Sequence, residues 1–415
     1  MQITKQNWLA TIINFAVTLF FLSIFIVKGG YNAAPALLML VGLGYSVYAL
    51  IKKPLLNLSK VDKWLIYSYL FYFFTFVLSL SINGGKMRDL DTASRVIFLI
   101  PVFLLLLKRP IKTCVLSYSI PLSGVIAVCI ALYDKFILNL NPDQNPRIMH
   151  IQGGDISMSL GIFSLIIALY AHHKKDVKLT TLSVIGGLCG IVGSLLSTAR
   201  GGWVALPVLL VVILYIYRQS LSKRFFLTFF GIIVIASIGI SQIPNNRIME
   251  RIDVAPKDIQ LYLDNHDGNT SLGARFEMWK SALEMAKEKP LFGWGIQGAT
   301  EKRKQETKEK IATGNIGQFT HAHNQYLDDL SKRGIVGLLA LLAVLFIPLR
   351  AFMKKLNNTN DEIKLIATLG VAHILSVMIY GLSQGFLVHN SGTIFYFFLT
   401  IVFYAAIRTH QKAES

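Results

Sequence analysis

Long apolar runs recur along almost the whole chain and limit what it can fold into. Of the 415 residues, 53% are hydrophobic and only 15% are charged. A helix needs about 20 apolar residues to cross a bilayer, and runs of that kind predict about 12 membrane spans. They lie near residues 8–27, 33–51, 63–83, 95–107, 113–133, 155–172, 179–197, 201–218, 224–243, 334–353, 363–383 and 391–408. The sequence therefore predicts an all-α polytopic membrane protein.

Lysine and arginine are concentrated in one set of the short connections between these spans. Connections rich in Lys and Arg resist translocation, so this set is predicted to be cytoplasmic, as are both termini. It comprises Lys52, Lys53, Lys60 and Lys63; Lys108, Arg109 and Lys112; Lys174, Lys175 and Lys178; Arg218, Lys223 and Arg224; and Arg350, Lys354, Lys355 and Lys364. These residues supply most of the formal net charge of +18, which argues against nucleic acid as a partner.

One long polar segment, about 244–333, interrupts the apolar pattern between the ninth and tenth predicted spans. By the same alternation it lies opposite the basic connections, which in a bacterium is the periplasm. The predicted organisation is residues 1–243 with nine spans, 244–333 as a helical periplasmic insert, and 334–415 with three spans and a cytoplasmic tail. Within the insert, Ser271 is predicted to cap a helix that ends before Pro290.

Two arginines on the predicted periplasmic side are candidates for anion binding. Arg200 follows the seventh span in a tight connection between two apolar helices, where an uncompensated charge is costly. A guanidinium fork suits phosphate oxygens, so a pyrophosphate clamp is one interpretation, and a helix cap or a lipid phosphate contact is the other. Arg275 shares a helix face with Met278 and Ala282. It is predicted to point where the helix docks, and the alternatives are a snorkelling arginine or one paired with a carboxylate.

His321 and His323 form a His-x-His pair at the end of the polar segment. Three interpretations remain open: hydrogen-bonded polar residues, metal ligands on one side of an extended chain, or a general base that deprotonates a hydroxyl. The metal interpretation lacks a third ligand of recognisable spacing, because Asp329 would face elsewhere if a helix begins near His323. Asn324 marks that predicted helix start. The position of His323 is therefore expected to be better fixed than that of His321.

The order of these motifs resembles the bacterial O-antigen ligases, within a wider group that includes O-antigen polymerases and protein O-oligosaccharyltransferases. The motifs are Ser197-Thr-Ala-Arg200-Gly-Gly-Trp, Ser271-x3-Arg275-x2-Met-Trp, Pro290-x2-Gly293-x-Gly295 and His321-Ala-His323-Asn-x-Tyr-Leu. The resemblance implies a GT-C-like glycosyltransferase of the bacterial inner membrane that acts in lipopolysaccharide biosynthesis. It would transfer polysaccharide from undecaprenyl pyrophosphate to a sugar of the lipid A core, on the periplasmic face.

The resemblance also implies roles for individual residues. Arg200 and Arg275 would bind the donor pyrophosphate, and His323 would deprotonate the acceptor hydroxyl. Two arginines in a partly dry site could stabilise the leaving group by several kcal/mol, so no metal or other cofactor is expected, and direct displacement would invert the anomeric centre. Further candidates for acceptor or supporting contacts are His321, Asn324, Arg88 and Arg147.

Other functions remain open beside the ligase. An O-antigen polymerase or a protein O-oligosaccharyltransferase would share the lipid-linked donor and differ in acceptor, and the His-x-His-Asn segment at the end of a moderate loop favours the ligase. The number of spans alone suggests a lipid-linked oligosaccharide transporter. The two halves show no obvious repeat and the insert is placed asymmetrically, both of which argue against a transporter.

Overall fold

The computed structural model describes residues 5–52, 57–109, 111–219 and 247–414, and these form helices and connections without a β-strand. The helices are α1 (Lys5–Ser23), α2 (Gly30–Lys52), α3 (Lys60–Asn83), α4 (Asp91–Leu106), α5 (Thr113–Phe136), α6 (His150–His173), α7 (Val177–Leu196), α8 (Arg200–Tyr217), α9 (Arg247–Asn265), α10 (Ser271–Glu288), α11 (Gly295–Lys308), α12 (Gln325–Met353), α13 (Asp361–Tyr380) and α14 (Asn390–Glu414). Nine of these described helices are long and apolar enough to cross a membrane. The predicted all-α polytopic membrane protein is confirmed.

The predicted spans coincide well with these helices. The ninth predicted span, 224–243, lies outside the described residues, and each of the others overlaps a helix. Helix α10 begins at Ser271, but its cap is Thr270, whose Oγ1 accepts a hydrogen bond from Gly273 N at 2.9 Å. The predicted Ser271 cap was therefore wrong by one residue, because Ser271 is already the first helical position.

Helix α6 is one of the inner helices and packs against α7 through glycines. A methyl group placed on Gly190 would lie 2.6 Å from Gly161 Cα, and one on Gly187 would lie 3.4 Å from Gly161 O. Small residues let membrane helices approach backbone to backbone. The close contact fixes α6, whose first turns carry Asp155 toward the N-terminus of α8.

Contacts at the helix ends and in the connections define two ends of the helix bundle. At one end, Lys174 Nζ lies 2.6 Å from Asp361 Oδ2 and His410 Nε2 lies 3.1 Å from Glu362 Oε2. We call this the basic end, because it gathers the Lys- and Arg-rich connections. The opposite end, called the site end, contains the connections 197–199, 319–324 and 381–389 together with α9, α10 and α11.

A kink in α12 joins the polar insert to the membrane helices. Gly334 interrupts the helix with φ 64° and ψ −162°, at the residue where the tenth span was predicted to start. The turn before α11 fills the kink, since Ile335 N donates to Pro290 O at 2.8 Å. A methyl group on Gly334 would lie 2.3 Å from Leu291 C and O. The chain therefore needs glycine here to bring the insert against α12.

Replacing Gly334 with alanine is expected to destabilise the protein by about 2 to 5 kcal/mol, from left-handed backbone strain and the clash with Leu291. The matched control is Gly44→Ala in α2, where the added methyl group meets no atom within 4 Å. That change should be neutral or stabilise by up to about 1 kcal/mol. Thermal unfolding in detergent measures both variants, and equal melting temperatures would contradict the role of the kink.

Candidate active site

The N-terminus of α8 forms one wall of the site. Arg200 is the first residue of α8, and it follows Thr198, whose φ of 60° closes the tight turn from α7. Asp155 of α6 is fully buried beside this turn. A methyl group on Gly201 would lie 3.0 Å from Asp155 Oδ1 and 3.2 Å from Ser383 Oγ. Thus α6, α8 and the connection 381–389 meet at the residue that follows Arg200.

Arg275 brings a second cation from the insert to the same place. As predicted, it lies on the face of α10 that carries Met278 and Ala282, both buried. Burial and the charge of Arg200 lower the pKa of Arg275, while Asp155 acts in the opposite direction. Two cations and one carboxylate therefore lie within electrostatic reach of one another, and the excess of positive charge favours an anionic ligand.

The histidine loop, residues 319–324, lies beside Arg275. His323 adopts φ 47°, and Asn324 caps α12 by accepting hydrogen bonds from Tyr326 N and Leu327 N at 3.0 and 3.1 Å. The ring centroid of His321 lies 4.3 Å from that of His323 and 5.4 Å from that of His389. His321 is only 8% exposed, whereas His323 is half-buried.

A glutamine connects two of these imidazoles. Gln384 Oε1 lies 2.7 Å from His323 Nδ1, and Gln384 Nε2 lies 3.2 Å from His389 Nε2. An amide oxygen only accepts hydrogen bonds, so in this arrangement His323 Nδ1 carries the proton and donates it to Gln384. The Nε2 atom of neutral His323 then holds a lone pair and can accept a proton.

The surroundings keep His323 uncharged. Burial, followed by the charge of Arg275, lowers the pKa of His323 to about 4. Burial and the neighbouring His323 lower the pKa of His321 to about 3. Both imidazoles are therefore neutral at neutral pH. Arg275 interacts electrostatically with both Arg200 and His323. It therefore connects the pair of arginines to the candidate base.

Buried charges hold the histidine loop in place. Asp328 of α12 accepts hydrogen bonds from Ala322 N at 2.9 Å and from Lys332 Nζ at 2.7 Å. Arg303 of α11, which is fully buried, donates from Nε to Phe319 O at 3.2 Å. Residues of both the insert and α12 therefore hold the histidine loop in place.

The connection 381–389 is joined to the start of α12 by three hydrogen bonds. Gln325 N donates to Gly381 O at 2.7 Å, and Leu387 N donates to Gln325 Oε1 at 2.8 Å. Asn324 Nδ2 donates to Leu382 O at 3.2 Å. His323 and Gln384 therefore sit on two connections that are tied together.

The other predicted site residues lie on different segments. Arg88 is exposed on the short 3-10 helix Met87–Leu90. Arg147 donates to Asp134 Oδ1 at 2.5 Å, on the connection between α5 and α6. A role for either residue in acceptor binding stays a prediction, as do the catalytic and donor-binding roles of His323, Arg200 and Arg275.

Sequence reasoning missed Asp155, Gln384 and His389. A signal existed for Asp155, because an acid inside an apolar run is costly and is expected to serve a function. Gln384 and His389 occupy a short polar connection between the last two spans, and no spacing pattern there points to the histidine loop. Their contact with His323 depends on tertiary structure alone.

The described residues contain no group of three or more His, Cys, Asp or Glu side chains arranged to hold a metal ion. Asp89-Leu90-Asp91, at the start of α4, is an Asp-x-Asp sequence and is not part of such a group. Asp89 Oδ2 accepts hydrogen bonds from Lys86 N at 3.0 Å and from Gln297 Nε2 at 3.1 Å. Asp89 thereby links the loop after α3 to the insert.

A cavity of about 720 Å³ lies at the site end between α5, α6 and α7. Its lining includes apolar Phe25 and Ile130, polar Asn145, and Ser197 and Thr198 of the turn before Arg200. Gly154 and Ser157 face it from α6, whereas Asp155 faces α8. The cavity is thus separated from the cations by the first turns of α6.

The fold and the site define a polytopic membrane protein with two cations and a neutral imidazole at one end of its helix bundle. A family model described as O-antigen ligase matches residues 182–342, a range that includes Arg200, Arg275 and His323. The chain belongs to the O-antigen ligase family, which confirms the resemblance stated above. Members of this family are glycosyltransferase-like ligases or polymerases.

Two relatives extend the comparison. An uncharacterized protein of Haemophilus influenzae is 42% identical over 399 residues, which cover 96% of this chain and 99% of that protein. The exopolysaccharide production protein ExoQ of Rhizobium meliloti is 27% identical over 124 residues, which cover 29% of this chain and 28% of ExoQ. The first relative aligns with nearly the whole chain, and the second aligns with less than a third of it.

Proposed function

We propose that this protein is an O-antigen ligase, which transfers polysaccharide from undecaprenyl pyrophosphate to a sugar of the lipid A core. The observation that carries the proposal is that Arg275 lies within electrostatic reach of both Arg200 and His323. A cation pair suits a pyrophosphate, and a neutral imidazole beside it suits an acceptor hydroxyl. The relative ExoQ is named as an exopolysaccharide production protein, and this supports a polysaccharide as the substrate class.

The proposed reaction is a single displacement. His323 Nε2 takes the proton of the acceptor hydroxyl, and the hydroxyl oxygen attacks the anomeric carbon of the donor sugar. The bond from that carbon to the pyrophosphate oxygen breaks, and the electron pair leaves with the pyrophosphate. Arg200 and Arg275 stabilise the charge that develops on this leaving group. Attack opposite the leaving group inverts the anomeric centre.

The same proposal assigns an orientation in the bacterial inner membrane. The basic end would face the cytoplasm because its connections carry the excess of Lys and Arg, and both termini would lie on that side. The site end, with the insert 244–333, would then face the periplasm. The donor, the lipid A-core acceptor and membrane lipids would then meet the protein on that side.

A deletion strain tests the ligase against its alternatives through its lipopolysaccharide. The ligase proposal expects lipid A cores without O-polysaccharide, because the donor is still made but is not transferred. Cores that carry a single O-unit would support a polymerase instead. Unchanged lipopolysaccharide with loss of glycan from a protein would support a protein O-oligosaccharyltransferase. Re-expression of the intact chain is the control and should restore the wild-type pattern.

The transporter alternative is tested with purified protein. The ligase proposal expects joined product in detergent, where no compartments exist, when lipid-linked donor and core acceptor are supplied. Translocation of the donor across liposomes without any joined product would overturn it in favour of the transporter.

A further inference from the structure

We propose that Gln384 is the positioning residue that fixes the tautomer of His323, with His389 behind it as the acceptor that orients the Gln384 amide. The inference rests on the proposed function, in which His323 is the base. Gln384 lies outside the range 182–342 that the family model matches. In this arrangement the Nε2 atom of His323 faces the substrate.

The directions of two hydrogen bonds at Gln384 set the tautomer of His323. Gln384 Oε1 at 2.7 Å accepts from His323 Nδ1, and Gln384 Nε2 at 3.2 Å donates to His389 Nε2. If the amide were rotated by a half turn, its NH2 group would face His323 Nδ1 and the proton of His323 would move to Nε2. His323 could then no longer accept a proton at Nε2. The orientation of this amide therefore decides whether His323 can act as a base.

Gln384 is held rigidly by its burial and by its backbone contacts. Its side chain is 1% exposed, and its backbone N donates to Tyr380 O at 2.9 Å at the end of α13. Its neighbour Ser383 lies beside Gly201, and Gly381 accepts from Gln325 N. Gln384 is thus anchored to α8, α12 and α13, and its burial leaves the amide little contact with water.

The charged and titratable groups around His323 favour its neutral form. The groups that face His323 are Arg275 of α10, Asp328 of α12, His321 of its own loop, and Gln384 and His389 of the connection 381–389. Arg275 and burial disfavour a charged imidazole, and Gln384 contributes a hydrogen bond but no charge. A carboxylate in the place of Gln384 would instead favour imidazolium and raise the pKa of His323. The neutral amide orients the base while keeping it unprotonated beside the cations.

Nuclear magnetic resonance of protein labelled at histidine nitrogens tests the tautomer without any assay of activity. The resonances of His323 are assigned by their loss in His323→Asn. The expected result is a proton on Nδ1 and a bare Nε2 in the intact protein, and a mixture of tautomers in Gln384→Met. A proton on Nε2 of His323 in the intact protein would overturn the inference, even if transfer activity is present.

Kinetics with purified protein, lipid-linked donor and core acceptor provide the second test. Gln384→Met should lower kcat about 100-fold or more, with KM for the donor little changed. Gln384→Glu keeps an acceptor for His323 Nδ1, so it should retain more activity than Gln384→Met and shift the acid limb of the rate to higher pH. The matched control is Gln305→Met, an exposed position on α11, which should leave kcat and KM unchanged.

The two tests separate this inference from the proposed function. Equal kcat values and equal pH profiles for the intact protein and both Gln384 variants would overturn the role of Gln384 while the ligase proposal stands. If the intact protein joins no donor to acceptor, the ligase proposal fails, and the resonances of His323 still decide the tautomer. If Gln384→Met does not fold, Gln384→Glu and the intact protein supply the decisive measurements.

Discussion

His323→Asn is expected to abolish polysaccharide transfer while donor binding survives. Loss of a general base lowers the rate by about 100- to 10,000-fold, and asparagine has no basic nitrogen to replace the imidazole. Asparagine also tolerates the left-handed backbone of this position, φ 47°, better than most residues. Product formation from lipid-linked donor and core acceptor measures transfer, and calorimetry with undecaprenyl pyrophosphate measures donor binding.

The matched control for this variant is His172→Asn. His172 is exposed in the last turn of α6 at the basic end, so its replacement should leave both measurements unchanged. A His323→Asn protein that retains full transfer would exclude the general base. A protein that loses donor binding together with transfer would instead assign His323 to the donor site.

Arg275→Ala is expected to weaken donor binding and to lower the transfer rate at saturating donor. The guanidinium is partly buried beside Arg200, so its contact with a leaving pyrophosphate is strengthened by the low local polarity. Removal of one such donor typically costs about 100- to 1,000-fold in rate. Arg275→Lys keeps the charge but loses the planar fork, and it should fall between the intact protein and Arg275→Ala.

The same variant has an effect on pH dependence with a defined sign. Arg275 lowers the pKa of His323, which stands at about 4, so its removal should raise that pKa toward the ordinary value for histidine. Below its pKa the imidazole is protonated and cannot act as a base, so the acid limb of kcat/KM should move to higher pH. Lys280→Ala is the control, since Lys280 is exposed on the same helix. An unchanged acid limb and unchanged donor affinity in Arg275→Ala would contradict the assignment.

The candidate site could be predicted from the sequence wherever a residue was unusual in its local setting. Arg200 stands between two apolar runs, Arg275 lies on an otherwise apolar helix face, and His323 precedes a helix cap. Each pattern is local, and the structure brings all three residues to the site end. Their meeting point was implied only by the family resemblance, because local periodicity carries no information about contacts between distant segments.

Other features of the site and the fold could not be predicted from the sequence, because they depend on contacts between distant segments or on local geometry. Gln384 and His323 are far apart in sequence, and their contact depends on how the connection 381–389 lies against the start of α12. The kink at Gly334 also escaped prediction, because the apolar pattern marks where the span begins and does not show that the helix continues to Gln325. The N-cap of α10 was misassigned because Thr270 and Ser271 are both good capping residues.

The hydrogen bonds that tie Asn324 and Gln325 to residues 381–387 have a consequence for the entropy of catalysis. A base that moved freely would lose orientational freedom at every turnover, which raises the barrier to reaction. Here the chain loses that freedom once, when it folds, because the start of α12 and the connection 381–389 form one bonded unit. Donor and acceptor can therefore bind and leave while His323 keeps its orientation between turnovers.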